Sequence, residues 1–265
     1  MSFDKTKFEL VRHSVVVRRL TVIRTERLSR SMVRVTLGGE ELEGFTTLSP
    51  EDHVRAFFPE AGRLEPLLPK VGPMNMLMPT LTGKPVHRDY TPRRYDPERR
   101  ELVIDFHLHG DGVASRWAAA AEPGHVLGVA GPRGSYVLKI APKRHLFIGD
   151  ETAIPEMSRR IEELGEGVGV EAWFQVGGPD DELPVPTSAV RWLHREAEQT
   201  LGRAGEEAEL SVDTFAWIAG EAGEVRAAVR ALVARGHPKE MIHASGHWKR
   251  GVTNHDHHEP VEARA

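Results

Sequence analysis

Cysteine is missing from this chain altogether. Its absence excludes disulfides, a thiol nucleophile, thiolate-bound zinc and Cys-ligated iron–sulfur clusters, and it fits a reducing compartment. No run of residues approaches the ~20 apolar positions that span a bilayer. The opening residues, Met1 to Leu10, lack the apolar core and small-residue cleavage site of a secretory signal. There is no long basic tract either: 35 Lys+Arg stand against 39 Asp+Glu, a net charge of −4, which does not favour nucleic acid as partner. What is present, 40% hydrophobic and 28% charged residues, is the composition of a soluble globular protein. A chain of 265 residues makes one large or two modest domains, each able to bury an ordinary core. The expectation is a cytoplasmic protein.

The first half reads as β structure. Residues 12–37 are rich in Val, Ile, Thr and Leu, broken near Arg27 and Arg30, and Val33, Val35 and Leu37 alternate with Arg34 and Thr36. Further strands are expected at His53–Phe58, Tyr90–Tyr95, Glu101–Leu108 and His125–Ala130, separated by Gly and Pro, a pattern of barrels or sandwiches. An alanine-rich helix, Val113–Ala121, ends at Pro123-Gly124. The second half alternates. An apolar strand at His145–Ile148 runs into Gly149-Asp150-Glu151-Thr152, and a helix follows with Ile154, Met157, Ile161 and Leu164 on one face and Gly165 as its stop. Strands at Val170–Val176, Val190–Leu193 and Phe215–Ala219 precede a helix from Gly220 to Gly236, with Val225, Ala228, Val229, Leu232 and Val233 at helical spacing. Such alternation implies a parallel α/β domain. The composition shifts near Ala141-Pro142, so the expected domains are residues 1–141 and 142–265.

Two segments carry chemistry. In Arg88-Asp89-Tyr90-Thr91-Pro92-Arg93, Arg88 and Tyr90 fall on one face of a strand. A forked guanidinium suits a pyrophosphate, a tyrosine ring can cover an isoalloxazine, and a threonine can hydrogen-bond the flavin N5. The alternative is an exposed edge strand with solvated charges. The second segment, Asp105-Phe106-His107-Leu108-His109-Gly110-Asp111-Gly112-Val113-Ala114-Ser115-Arg116-Trp117, is a strand, a glycine turn and a helix start, where backbone N–H groups favour a phosphate. A capped helix with Trp117 in the core is the plainer reading, but it leaves the two imidazoles unexplained.

Together these segments resemble the siderophore-interacting protein family, FAD-dependent ferric-siderophore reductases related to ferredoxin reductases. The resemblance continues, in order, through Gly131-Pro132-Arg133-Gly134-Ser135, Gly149–Pro155, Trp217-Ile218-Ala219-Gly220-Glu221 and Gly246-His247-Trp248-Lys249-Arg250-Gly251. It implies an N-terminal antiparallel FAD-binding β-barrel followed by a parallel α/β NAD(P)H-binding domain. On this likeness Arg88, Asp89, Tyr90 and Thr91 contact FAD, Asp105, Phe106, His107, Leu108, His109, Ala114 and Ser115 surround its ribityl and phosphate groups, and Trp248 also lies at the FAD. Asp150, Glu151 and Thr152 form the nicotinamide side, although no Gly-x-Gly-x-x-Gly fingerprint is present. Cationic Arg55, Arg133, Lys249 and Arg250 are expected to attract an anionic ferric siderophore.

The implied activity is hydride transfer from NADPH or NADH to FAD, then single-electron transfer to chelated Fe(III), with no protein ligand to a metal and with a monomeric enzyme. Two other functions stay open: a flavin reductase serving another acceptor, and a non-catalytic siderophore- or flavin-binding protein. The sequence departs from the family pattern at His247, where relatives usually have Tyr. Residues 64–86, with Met74, Met76 and Met78, read as a divergent loop or hairpin packed on the barrel. The tail histidines His255, His257 and His258 resemble a metal cluster but read as a polar terminus.

Overall fold

The computed structural model describes residues 6–79 and 83–252, and the chain divides into two compact units. One is Glu9–Val137; the other joins residues 138–252 to residues 6–8. The break thus comes shortly before Ala141, and the start of the chain belongs with the second unit. The reason is Phe8, whose ring packs against Phe215, Trp217 and His243 at centroid distances of 6.4, 6.1 and 5.3 Å.

The N-terminal unit holds β1 (Phe8–Arg12), β2 (Val17–Arg27), β3 (Met32–Gly38), β4 (Val54–Phe57), β5 (Lys70–Val71), β6 (Leu77–Met78), β7 (His87–Tyr90), β8 (Arg94–Asp96), β9 (Glu101–His107), α1 (Val113–Ala119), β10 (Val126–Ala130) and β11 (Gly134–Leu138). Seven of these strands form one antiparallel sheet in the order β7-β4-β10-β2-β3-β9-β8, and β1 pairs with β11. The ladder is open, with β7 and β8 as its edges, yet the sheet curls until Tyr90 of β7 lies 4.5 Å, ring to ring, from Phe106 of β9. Leu20, Val35, Leu37, Val54, Phe58, Leu102, Ile104 and Phe106 fill the interior, and Ala114 and Ala118 of α1 close it.

Residues 90–95 are not one strand. Pro92 lacks a ladder donor, so the chain leaves β7 at one edge and re-enters at β8 on the other. The methionine-rich segment makes the small β5–β6 hairpin, with Leu68 and Leu77 packed on Val15, Phe57 and Ala130.

The second unit contains β12 (Arg144–Asp150), α2 (Ile154–Glu163), β13 (Gly169–Val176), β14 (Val190–His194), α3 (Leu201–Glu207), β15 (Thr214–Glu221), α4 (Ala222–Ala234) and β16 (Ile242–Trp248). All five strands are parallel, in the order β14-β13-β12-β15-β16. The order reverses at β12 and β15, so the crevice beyond their carboxyl ends is the place where such sheets take ligands. Gly149 lets α2 lie close to β12: a Cβ there would stand 2.7 Å from that of Ala153. Two elements of this unit escaped the sequence reading. α3 carries two glycines, and a Cβ on Gly205 would meet the Ala228 carbonyl at 2.6 Å, so close packing on α4 selects that helix against its propensity. β16 has too mixed a composition to show as an apolar run.

Candidate functional site

In the antiparallel unit the site is built on β7. Its alternation turns Arg88 and Tyr90 to the inner face, and His87 and Asp89 to the outer one. Tyr90 is half-buried against Phe58 and Phe106. Burial pushes its phenol up, against the pull of the Arg88 charge, so it stays a neutral ring. Arg88 is also half-buried, and Nη1 donates to its neighbour, the His87 carbonyl, at 2.7 Å. Among the described residues no carboxylate pairs with it. Thr91 is half-buried beside them.

The surrounding arginines behave otherwise. Asp105 is buried and accepts from Arg34 Nε and Nη2 at 2.7 and 2.8 Å, with Arg93 Nε at 3.9 Å. Asp89 accepts from Arg55 Nε and Nη2 at 2.9 and 3.1 Å across the β4–β7 pair. The Asp105 and Asp89 carboxylates thus hold arginines of the chain itself, and Phe106 is fully buried in the core.

After β9 the chain turns through a loop that carries both imidazoles. His107 is half-buried and His109 exposed, their rings 5.5 Å apart, and Leu108 donates its N–H to the Ser31 carbonyl at 2.7 Å. Buried Ser115 clamps this loop. Its Oγ accepts from the His109 N–H at 3.1 Å and donates to the His109 carbonyl at 3.0 Å. The Ser115 hydroxyl thus shapes the loop. Gly110, at φ +52°, supplies the left-handed turn. Ala114 is buried beneath it.

In the parallel unit the strand ends converge on Asp150, which is fully buried. Oδ1 accepts from Thr152 N and Oγ1 at 2.9 and 2.6 Å; Oδ2 accepts from Glu221 N and Trp248 Nε1, both at 2.8 Å. With its lone pairs so occupied, Asp150 ties β12, β15 and β16 together and has no free acceptor to offer a nucleotide. Trp248 is held here by the same bond. Glu151 is buried and forks onto Arg195, Oε1 to Nη1 at 2.9 Å and Oε2 to Nη2 at 2.6 Å. Thr152 remains half-buried at the mouth of the crevice.

Sequence reasoning missed Glu156 as part of this edge. It is buried on the first turn of α2 and lies 3.4 Å from His247 Nε2, while His247 Nδ1 lies 3.2 Å from Thr152 Oγ1. An acid four residues beyond a loop threonine carries no pattern by itself.

The cationic residues separate by unit. Arg55 and Arg133 stand on the antiparallel unit, Lys249 and Arg250 on the parallel one. Arg55 is neutralised by Asp89, whereas the side chains of Arg133, Lys249 and Arg250 are exposed and form no ion pair among the described residues. No described group of three His, Asp or Glu is arranged to hold a metal, and His255, His257 and His258 lie outside the described residues. No described helix is long and apolar enough to cross a membrane.

Two family profiles match the chain: the siderophore-interacting FAD-binding domain over residues 21–136 and the siderophore-interacting protein over residues 142–251. An NADPH-dependent ferric-chelate reductase of Escherichia coli is 35% identical, the match covering 90% of this chain and 95% of that protein. A ferric vibriobactin reductase of Vibrio cholerae is 31% identical over 92% of this chain and 94% of its own. Among solved structures, a siderophore utilization protein from T. fusca superposes with a TM-score of 0.86 at 36% identity, covering 95% of this chain and all of that one.

Proposed function

Since the chain belongs to the siderophore-interacting protein family, we propose that it is an FAD-dependent ferric-siderophore reductase fed by NADPH. One observation carries the reading on this chain's own residues. Arg88 is a half-buried cation without a carboxylate among the described residues, in a sheet where Arg34 and Arg55 each have one. A cation kept from full solvent and left unpaired suits an anion from outside the chain. The residues fit FAD: Arg88 meets the pyrophosphate, Tyr90 offers its ring face and Thr91 a hydroxyl, while the 107–115 loop borders the rest. His107, Leu108 and His109 take part chiefly through that loop, which Ser115 holds in shape.

With FAD bound, the chemistry supplied is acceptance of one hydride from the nicotinamide and release of its two electrons singly, so that two chelated Fe(III) become Fe(II). The chain's part is positioning and charge. The crevice at the ends of β12 and β15 receives the nicotinamide nucleotide, with Thr152 at its mouth and Asp150 and Glu151 fixing the turn behind it. Arg133, Lys249 and Arg250 draw in the anionic ferric siderophore; Arg55, bound to Asp89, adds little net charge. The reductase works as a monomer in the cytoplasm, in keeping with its lack of Cys.

The test is twofold. Arg88→Ala is expected to lose FAD on gel filtration under conditions in which the parent retains it; equal flavin content would remove the assignment. In anaerobic stopped flow, NADPH bleaches the flavin of the parent and ferric siderophores restore its colour. Bleaching without reoxidation by ferric chelates would favour another acceptor, and FAD that neither NADPH nor NADH bleaches would leave a binding protein.

A further inference from the structure

His247 sits on β16 beside the turn that follows β12, and its two nitrogens face different demands. Nε2 lies 3.4 Å from Glu156 Oε2, an acceptor. Nδ1 lies 3.2 Å from Thr152 Oγ1, whose single proton is already directed to Asp150 Oδ1 at 2.6 Å. A neutral imidazole has one N–H and so satisfies one side only, turning a lone pair toward an oxygen lone pair on the other. The imidazolium satisfies both. We propose that His247 is a proton-linked positioning residue: doubly protonated, it ties β16 to Glu156 of α2 and to Thr152, and loss of the proton frees the Thr152 hydroxyl to turn from Asp150 to the ring.

The surroundings favour the charged form. Burial opposes it, but the hydrogen bond and field of Glu156, the field of Asp150 and the Thr152 backbone outweigh that cost, and the imidazole holds its proton above its usual range. Charges on the neighbouring elements are otherwise engaged. On α2, Arg159 pairs with Glu163 and Arg160 covers the Trp217 ring. At the end of β15, Glu221 accepts from the N–H groups of Gly223, Glu224 and Arg250. The proton therefore contributes stability fully below the ordinary imidazole pKa of ~6.5, and this is lost as pH rises through the higher folded value. The nucleotide consequence rests on the function proposed above: if NADPH docks at this turn, its affinity falls as His247 deprotonates.

The experiment is a pH titration of the full-length holoenzyme with labelled histidine, the His247 resonances being identified by their loss in His247→Gln. The expected result is a ring protonated on both nitrogens at pH 6.5, a midpoint above that value, and a Thr152 amide resonance that moves with the same midpoint. Glu156→Gln should lower the midpoint. A neutral ring at pH 6.5, or a Thr152 amide indifferent to the titration, would overturn the proposal. The second readout is the NADPH dissociation constant by fluorescence, expected to weaken about fivefold or more across the midpoint in the parent and to stay flat in His247→Gln. A flat parent profile beside a titrating ring refutes the link to the nucleotide. Absence of any NADPH binding would count against the function proposed above, and the resonances would still decide the proton link.

Discussion

His145 offers a stringent test of how the parallel unit is held together. It is buried at the start of β12, its ring nearly parallel to Trp217 (4°, centroids 6.3 Å) and to Phe147 (11°, 5.9 Å). Nδ1 accepts from Trp217 Nε1 at 2.9 Å, and the Arg160 guanidinium lies 3.6 Å from the Trp217 ring centre. Burial, and secondarily the Arg160 charge, lowers the imidazole to about 4. The unfolded chain takes up this proton once the pH falls below ~6.5, while the folded one resists until about 4, so stability drains away as the pH falls through that window. At 1.36 kcal/mol per pKa unit the loss amounts to about 3 kcal/mol.

His145→Gln keeps an acceptor for Trp217 and removes the titration. Urea unfolding followed by tryptophan fluorescence, at steps from pH 7.5 to pH 4, should find the variant less stable at pH 7.5, because the stacked ring is gone. The parent should then lose about 3 kcal/mol more than the variant on the way down. Parallel pH profiles for the two proteins would refute the reasoning, since every other titrating group is common to both.

Two further predictions concern the knot at the strand ends. Asp150→Asn puts an amide donor against N–H groups or the Thr152 hydroxyl, and should destabilise the parallel unit by about 2–4 kcal/mol, with faster amide exchange at Glu221. Gly220 has φ +140°, and a Cβ there would stand 2.6 Å from Asp150 Cγ, so Gly220→Ala should cost about 2 kcal/mol or more in urea unfolding. Gly165→Ala, where a Cβ meets nothing within 4 Å, serves as the neutral comparison.

The fold was largely legible where period and punctuation agree. Val33, Val35 and Leu37 gave β3, and Ile154, Met157 and Ile161 gave α2 with little error at the ends. What stayed hidden depends on distant partners. The glycines of α3 argue against a helix until Ala228 and Ala231 are seen packed on Gly205. Phe8 joins the second unit because its ring packs on β15 and β16, more than two hundred residues away in sequence. The motif positions were legible in the same partial way. Arg88, Tyr90 and the 107–115 loop do gather on one unit, but which of their atoms remain available is a matter of cross-strand register, to which sequence is nearly blind.

That register sorts the arginines. Arg34 stands opposite Asp105 and Arg55 opposite Asp89 in the ladders, so each meets a carboxylate at the distance of a directly paired residue. Arg88 stands opposite Ala56, an apolar residue on the inner face, and receives none. A shift of one residue between β4 and β7 would exchange these roles and turn Tyr90 out of the core. The aromatic packing of Tyr90 on Phe106 and Phe58 fixes the register, and the register in turn leaves Arg88 without an acid. The charge proposed to meet the flavin is thus set by the same hydrophobic alternation that builds the sheet. Substitutions at Phe58 or Phe106 should therefore disturb flavin binding through the register, with no direct contact to the flavin required.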